Sequence, residues 1–263
     1  MKKMTLPALR DKKGKEPIAM VTCYDAAFAR LAEAAQIDAL LVGDSLGMVI
    51  KGEESTLGVS VDEVAYHVRA VRRGARSPFL IADMPFGSYQ ASVEHGVDNA
   101  VTLMKAGAEA VKVEGGVAVA PLVERLTAVG IPVVGHVGLT PQSVNLFGGY
   151  RKRGVVRSER DEILRGALAL DAAGAALIVL EMVPAELAAQ ITAEVSAPTI
   201  GIGAGPETDG QVLVLYDLLG MDDGFNPSFL KKYLDLDRQV TAALARYRDE
   251  VRTGRFPARR NKS

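Results

Sequence analysis

FLIADMPFGSYQASVEHGVDNAVTLMKAGAEAVKVEG, residues 79–115, has the pattern of a strand, a helix and a second strand. It opens on a short apolar run, FLIADM (79–84), and closes on another, AVKVEG (110–115). Between them Val97, Ala100, Val101 and Met104 recur at helical spacing and form one apolar stripe to lay against a sheet. Apolar runs joined in this way are parallel strands linked by a crossover helix.

The same unit recurs along the chain. Further runs are IAMVTC (18–23), ALLVGD (39–44), PVVGHVG (132–138), ALIVLEMV (176–183), PTIGIGAG (198–205) and VLVLYDLLG (212–220), which makes eight. Val61, Val64, Ala65, Val68 and Val71 give another helical stripe. Eight alternating units favour a closed (β/α)8 TIM barrel over an open sheet, although the last run can also be read as a helix. The chain of 263 residues, 48% hydrophobic and 24% charged, is the size of one such barrel, so a single domain over residues 1–263 is expected. After Pro227 an amphipathic helix is expected over about 228–250, followed by the basic tail GRFPARRNKS (254–263). Two connections, residues 45–60 and 139–157, are longer than a barrel needs and are expected to cover a site.

A net charge of −1 implies no general attraction to nucleic acid or to an anionic membrane. No uncharged apolar stretch approaches the roughly 18 residues that span a bilayer. The start, MKKMTLPALRDKKGKEP, has no apolar core of a secretory signal, and the single cysteine, Cys23, fits a reducing compartment. A cytoplasmic protein is expected.

Four runs close on an acid: Asp44, Asp83, Glu114 and Glu181. A carboxylate is costly in a core unless a metal, a cation or hydrogen bonds compensate it, and strand ends in a barrel meet at one mouth. Asp44, Asp83 and Glu114, on the second, third and fourth strands, would be neighbours there. Three carboxylates without a nearby cysteine suit a hard cation such as Mg²⁺, which takes oxygen ligands; as alternatives, each acid could cap a helix or form a local ion pair. Lys112 lies two residues before Glu114 on the same face, and could pair with it, hold a substrate carboxylate or form a Schiff base. Ser45 could donate to Asp44 or cap the next segment. Glu181 follows five apolar residues, so its carboxyl should be poorly solvated, which suits a general base. His136 faces the same mouth and could bond a substrate oxygen. The glycine run GIGAG (201–205) could bind an anion or let the barrel close tightly, and Arg151, Lys152 and Arg153 read as a solvated basic cluster.

Taken in order, VTCYDAAFA, LLVGDSLGMV, ADMPFGSY, VKVEGG, GIPVVGHVGLTPQ, LEMVP and IGIGAGPETDGQVLV resemble the ketopantoate hydroxymethyltransferase family from about residue 4 to residue 235. The resemblance implies a barrel of the pyruvate/phosphoenolpyruvate type, one Mg²⁺ ion per subunit, 3-methyl-2-oxobutanoate as acceptor, 5,10-methylenetetrahydrofolate as one-carbon donor and assembly as a homodecamer. It also implies Asp44, Asp83 and Glu114 as Mg²⁺ ligands, Asp44, Ser45, Asp83, Lys112 and His136 as ketoacid-binding residues and Glu181 as proton acceptor. The chain departs from the family's pattern at Cys23, Glu207 and Thr208, away from that chemistry. The competing reading is a Mg²⁺-dependent aldolase or lyase acting on another 2-oxo acid, which would need no folate.

Overall fold

A computed structural model describes residues 2–221, 224 and 226–258; Arg259–Ser263 of the basic tail lie outside the described residues. The chain divides into two compact units, residues 1–214 and 215–263.

The first unit holds β1 (Ile18–Thr22), β2 (Ala39–Val42), β3 (Phe79–Asp83), β4 (Ala110–Glu114), β5 (Val133–Gly138), β6 (Leu177–Glu181), β7 (Thr199–Ile202) and β8 (Gly210–Leu213). These strands pair in sequence order, all parallel, and β8 closes on β1. The expected eight-stranded barrel is therefore observed. Its helices are α1 (Leu6–Asp11), α2 (Ala26–Ala34), α3 (Leu46–Val49), α4 (Val61–Gly74), α5 (Val93–Ala106), α6 (Ala120–Ala128), α7 (Val144–Phe147), α8 (Arg157–Ala172) and α9 (Ala185–Glu194).

Local chemistry sets where helices begin. Ser60 accepts from the Glu63 amide while Glu63 reaches back to the Ser60 amide, a capping box that starts α4. Asp25 and Ser92 cap α2 and α5. Val64, Ala65, Val68 and Val71 are buried as the stripe predicts; on α5 the buried residues are Gly96, Ala100 and Leu103, one position round from the expected face.

Inside the barrel, alternate residues of each strand point inward. Ile18, Met20, Ala39, Leu41, Phe79, Ile81, Ala110, Val134, Leu177, Val179, Ile200 and Val212 form one buried apolar cluster, with Leu9 of α1 completing it. The same parity, continued to the C-terminal strand ends, brings Asp83, Lys112, Glu114, His136 and Glu181 inward. The interior is thus apolar at one end and charged at the other.

Two expectations are corrected. The run 212–220 is not one strand: β8 is Gly210–Leu213, and Leu215–Leu218 form a helix, α10. The ladder to β1 ends at Val21↔Leu213, and from Leu215 the backbone bonds to itself, Leu219 N–H to Leu215 O. The C-terminal helix, α11, is Leu236–Arg252 instead of 228–250. Tyr233, before it, donates its amide to the Leu218 carbonyl, and the first two amides of α11, Leu236 and Asp237, donate to the carbonyls of Leu219 and Gly220, so the end of α10 caps the start of α11 at Leu236. Both elements belong to the second unit, and α11 has no buried residue.

The long connections are also more ordered than loops: 45–60 contains α3, and 139–157 contains a 3-10 turn (Pro141–Ser143) and α7. In the glycine run, a Cβ at Gly201 would meet Thr208 Oγ1 at 2.7 Å and one at Gly205 would meet Ala185 Cβ at 2.6 Å, so the glycines serve close packing.

At the end of β5, Gly138 has φ 102° and faces Glu181 across the ladder. A Cβ there would collide with the Glu181 carbonyl and lie 2.8 Å from Val183 Cγ1, and the Leu139 amide donates to the same carbonyl at 2.8 Å. Backbone contact at this point fixes the ends of β5 and β6 against each other. Gly138→Ala is therefore expected to destabilise the protein by about 1–3 kcal/mol, from combined overpacking and left-handed strain. Urea denaturation measures this, and a loss below about 0.5 kcal/mol, the usual range of a neutral surface change, would show that the two strand ends separate freely.

Candidate active site

The strand ends deliver their charges to one wall of the barrel interior. Lys112 is the hub. Its Nζ lies 2.9 Å from Asp83 Oδ1, 3.5 Å from Glu114 Oε1 and 3.3 Å from His136 Nδ1. The registers Asp83↔Lys112 and Glu114↔His136 set these distances, because neighbouring parallel strands present inward side chains at the same height. His136 bridges onward: Nδ1 is 3.4 Å from Glu114 Oε1 and Nε2 is 3.3 Å from Glu181 Oε2.

Asp44 joins from the turn after β2. Its amide donates to Asp83 Oδ2 at 2.9 Å, and its Oδ2 accepts from Gln142 Nε2 at 2.9 Å. Gly43 permits that approach, since a Cβ there would press on Ser45 Oγ. Asp44, Asp83, Lys112, Glu114 and His136 are all buried. None of the three acids caps a helix; Ser45 precedes α3 and Ser92 caps α5.

Burial raises the Asp44 carboxyl well above the carboxylate range, and repulsion from Asp83 and Glu114 adds to the effect. Burial also raises Asp83, with the Lys112 ammonium pulling it back. Glu114 goes the other way: burial opposes ionisation, but Lys112 and His136 outweigh it and the carboxyl is held below its usual range. Burial opposes charge on Lys112 too, yet Asp83, Glu114 and Asp44 hold it protonated. Burial and the Lys112 charge both work against the His136 imidazolium, but Glu114 and Glu181 carry it up to about 9.

Ser45 makes neither expected contact. Its hydroxyl shares a hydrogen bond of 2.8 Å with Tyr24 Oη and caps nothing. Glu181 is reached by His136, but its side chain keeps 19% exposure, more than its apolar run implies. The following residue, Met182, has φ 49°, an uncommon conformation for a non-glycine residue, held by Met182 N–H to Ile202 O and Arg153 N–H to Met182 O. That turn stops β6 at Glu181. In the connection above, Arg153 stacks over the Phe147 ring at 3.9 Å and pairs with Glu159, so this member of the basic cluster is largely buried. Tyr150 Oη approaches Met48 Sδ at 3.9 Å, linking the two long connections.

Sequence reading assigned no role to Gln142 or Tyr89. Both are buried, and both contact Glu114. A polar amide directly behind a proline at a strand end, in LTPQ, was the available signal.

Among the described residues, no three His, Cys, Asp or Glu side chains converge on one ion-sized point. The donor set nevertheless fits a hard divalent cation by its chemistry. All its donors are carboxylate oxygens, three buried acids face only two cationic side chains, and Asp83 Oδ1 has the Lys112 ammonium at 2.9 Å but no aligned hydrogen bond.

The chain matches the family model described as ketopantoate hydroxymethyltransferase over residues 3–259. It is 53% identical over 259 residues to 3-methyl-2-oxobutanoate hydroxymethyltransferase of Thermococcus kodakarensis, covering 98% of this chain and 91% of that protein. It is 52% identical over 251 residues to the Leptospira interrogans protein of the same name, covering 95% of each. Among solved structures it resembles 2,3-dimethylmalate lyase, of the PEP mutase/isocitrate lyase superfamily, with a TM-score of 0.60 and 16% identity, covering 98% of this chain and 91% of that one. Phosphonopyruvate hydrolase in complex with oxalate and Mg²⁺ gives a TM-score of 0.62 at 15% identity, covering 97% and 88%. The structural likenesses speak for the barrel alone, but the near-complete match in sequence goes further: this chain belongs to the ketopantoate hydroxymethyltransferase family.

Proposed function

We propose that the charged end of the barrel transfers a hydroxymethyl group from 5,10-methylenetetrahydrofolate to 3-methyl-2-oxobutanoate, giving 2-dehydropantoate and tetrahydrofolate, the first step of pantothenate synthesis. The observation that carries this reading is the convergence of Asp44, Asp83, Lys112, Glu114, His136 and Glu181 on one wall, in a chain half identical to enzymes of that name.

Asp44, Asp83 and Glu114 would hold Mg²⁺. Asp44 is the readiest donor, because Asp83 engages Oδ1 with Lys112 and Oδ2 with the Asp44 amide, and Glu114 engages Oε1 with Lys112 and His136 and Oε2 with the Gln142 amide. The metal would supply Lewis-acid stabilisation of the charge that develops on the ketoacid oxygens. Lys112 and Ser45 lie beside this set and would bind the ketoacid carboxylate together with Asp44, Asp83 and His136. The ion pairs of Lys112 with Asp83 and Glu114 keep its amine protonated, the opposite of what a Schiff base requires.

Glu181 would accept the C3 proton. It is the most exposed of the six, which suits a group that must meet substrate, and His136 Nε2 stands within ion-pair distance of its carboxylate, at 3.3 Å. The carbon nucleophile so formed attacks the methylene carbon of the folate, forming the new C–C bond as one C–N bond breaks; one water molecule breaks the second C–N bond, supplying the hydroxyl oxygen of the product and a proton to the nitrogen, and tetrahydrofolate leaves. The co-substrate brings the electrophile, and the protein brings position and electrostatics.

Decameric assembly and a cytoplasmic setting belong to the same reading. Val240, Leu244, Tyr247 and Val251 form an exposed apolar face on α11, which supports association. Among the described residues, no helix is long and apolar enough to cross a membrane.

Product formation that requires 5,10-methylenetetrahydrofolate separates this reading from a 2-oxo-acid aldolase or lyase; turnover of the ketoacid without folate would overturn it. Glu181→Gln is expected to slow exchange of the C3 proton of 3-methyl-2-oxobutanoate in D2O by at least about a hundredfold, followed by proton NMR. Exchange at the wild-type rate would remove Glu181 as the base. Asp83→Ala should weaken Mg²⁺ and ketoacid binding together in calorimetric titrations, and unchanged affinity for both would refute its place among the ligands.

A further inference from the structure

Gln142 sits where four strand-end segments meet, and every polar atom of its side chain is engaged. Nε2 donates to Asp44 Oδ2 at 2.9 Å and to Met84 O at 3.0 Å. Oε1 accepts from Tyr89 Oη at 2.7 Å and from Gln90 Nε2 at 3.2 Å. Its main-chain amide donates to Glu114 Oε2 at 3.0 Å. One residue thus holds two carboxylates that come from different strands.

The direction of this chain of hydrogen bonds follows from the chemistry of its ends. The Glu114 main-chain N–H can only donate, and it lies 3.0 Å from Tyr89 Oη, so the phenol oxygen accepts there. The single phenol proton goes to the nearer acceptor, Gln142 Oε1 at 2.7 Å, in preference to Glu114 O at 3.1 Å. The Met84 carbonyl can only accept, so the amide nitrogen of Gln142 must face it, and the same NH2 group then faces Asp44. Both ends therefore specify one orientation of the amide. A flipped amide would set its oxygen against the Met84 carbonyl and the Asp44 carboxylate, and its NH2 against Gln90 Nε2.

We infer that Tyr89 and Gln142 form a directional relay that positions the metal-binding carboxylates, Tyr89 acting through Gln142. This rests on the metal-site reading given under Proposed function. Neither residue takes part in the chemistry; both are positioning residues. The relay starts at the backbone of β4 beside Glu114, passes through Tyr89 in the connection after β3, and ends on Asp44 after β2. The Gln142 amide, by binding Glu114 Oε2, closes it into a ring. A carboxylate held at Oδ2 by a donor of fixed direction has a fixed plane, and a near-octahedral ion demands such placement of its oxygens.

The test uses the full-length protein and Mn²⁺ as probe, with free metal followed by electron paramagnetic resonance, for wild type, Tyr89→Phe, Gln142→Met and the double variant. Tyr89→Phe removes one oxygen and retains the ring, while Gln142→Met keeps the length of the side chain without its donors. The expected result is an increase in Kd of about tenfold for each single variant, in the 10–100-fold range of residues that orient metal ligands. The double variant should be no weaker than Gln142→Met, because Tyr89 acts through the residue already removed. At saturating metal, kcat should recover to within a few-fold of wild type, a split that general loss of structure would not give. Melting temperatures without metal identify any variant that fails to fold, and the remaining single variant then decides by its own Kd. An unchanged Kd for Tyr89→Phe, or effects that multiply in the double variant, would overturn the relay while leaving the metal reading intact. Absence of Mn²⁺ binding by the wild type would overturn the metal reading, and the relay with it.

Discussion

Placing three carboxylates on one wall of a protein interior costs several kcal/mol for each unless positive charge and donors are supplied. In this chain the supply is compact. Lys112 contacts Asp83 and Glu114, His136 contacts Glu114 and Glu181, and Gln142 covers Asp44 and Glu114. Two cationic side chains still face three buried acids, and Asp44 bears the consequence as the carboxyl forced furthest toward its neutral form. The wall is therefore built short of positive charge. That shortfall costs stability, and it also makes the site receptive to a divalent cation, whose arrival would relieve the strain.

The apolar half of the barrel makes this arrangement affordable. Twelve inward strand residues and Leu9 form a continuous buried cluster below the charged layer. Each large aliphatic side chain in such a cluster contributes about 1.5–3 kcal/mol relative to exposure. Parallel pairing in sequence order keeps the inward residues of neighbouring strands level, so polar and apolar layers do not mix. The division between a stabilising end and a reactive end is thus a property of register.

The barrel and most of its charged residues were legible because two simple periods carried the information. Alternation along strands showed Lys112 and Glu114 on one face, and helical stripes marked α4 and α5. The run 212–220 misled because its apolar residues suit either element; the end of the β1 ladder at Leu213, a contact distant in sequence, decided between them. The start of α11 was misplaced for a related reason, since its first amides, at Leu236 and Asp237, are taken by the carbonyls of Leu219 and Gly220. At the site, Ser45 was assigned by adjacency to Asp44, but its hydroxyl reaches Tyr24. Gln142 and Tyr89 went unassigned because an amide carries no charge and a buried phenol stays neutral, and their importance lies in hydrogen-bond direction, which no spacing rule expresses.

The position of the barrel's seam bears on how the molecule assembles. Asp44, Asp83, Glu114, the lysine and the amide that binds Asp44 lie between residues 44 and 142, on strands β2 to β5 and their following turns. Closure of the barrel instead joins β1 to β8, whose paired residues Ile18 and Gly210 are far apart in sequence. Loop-closure entropy makes such a contact late in folding and early to loosen. The charged wall, made from consecutive units, has no need to wait for it. Opening fluctuations at the seam would therefore leave the wall assembled, and amide hydrogen exchange in β3 and β4 should be slower than in β8.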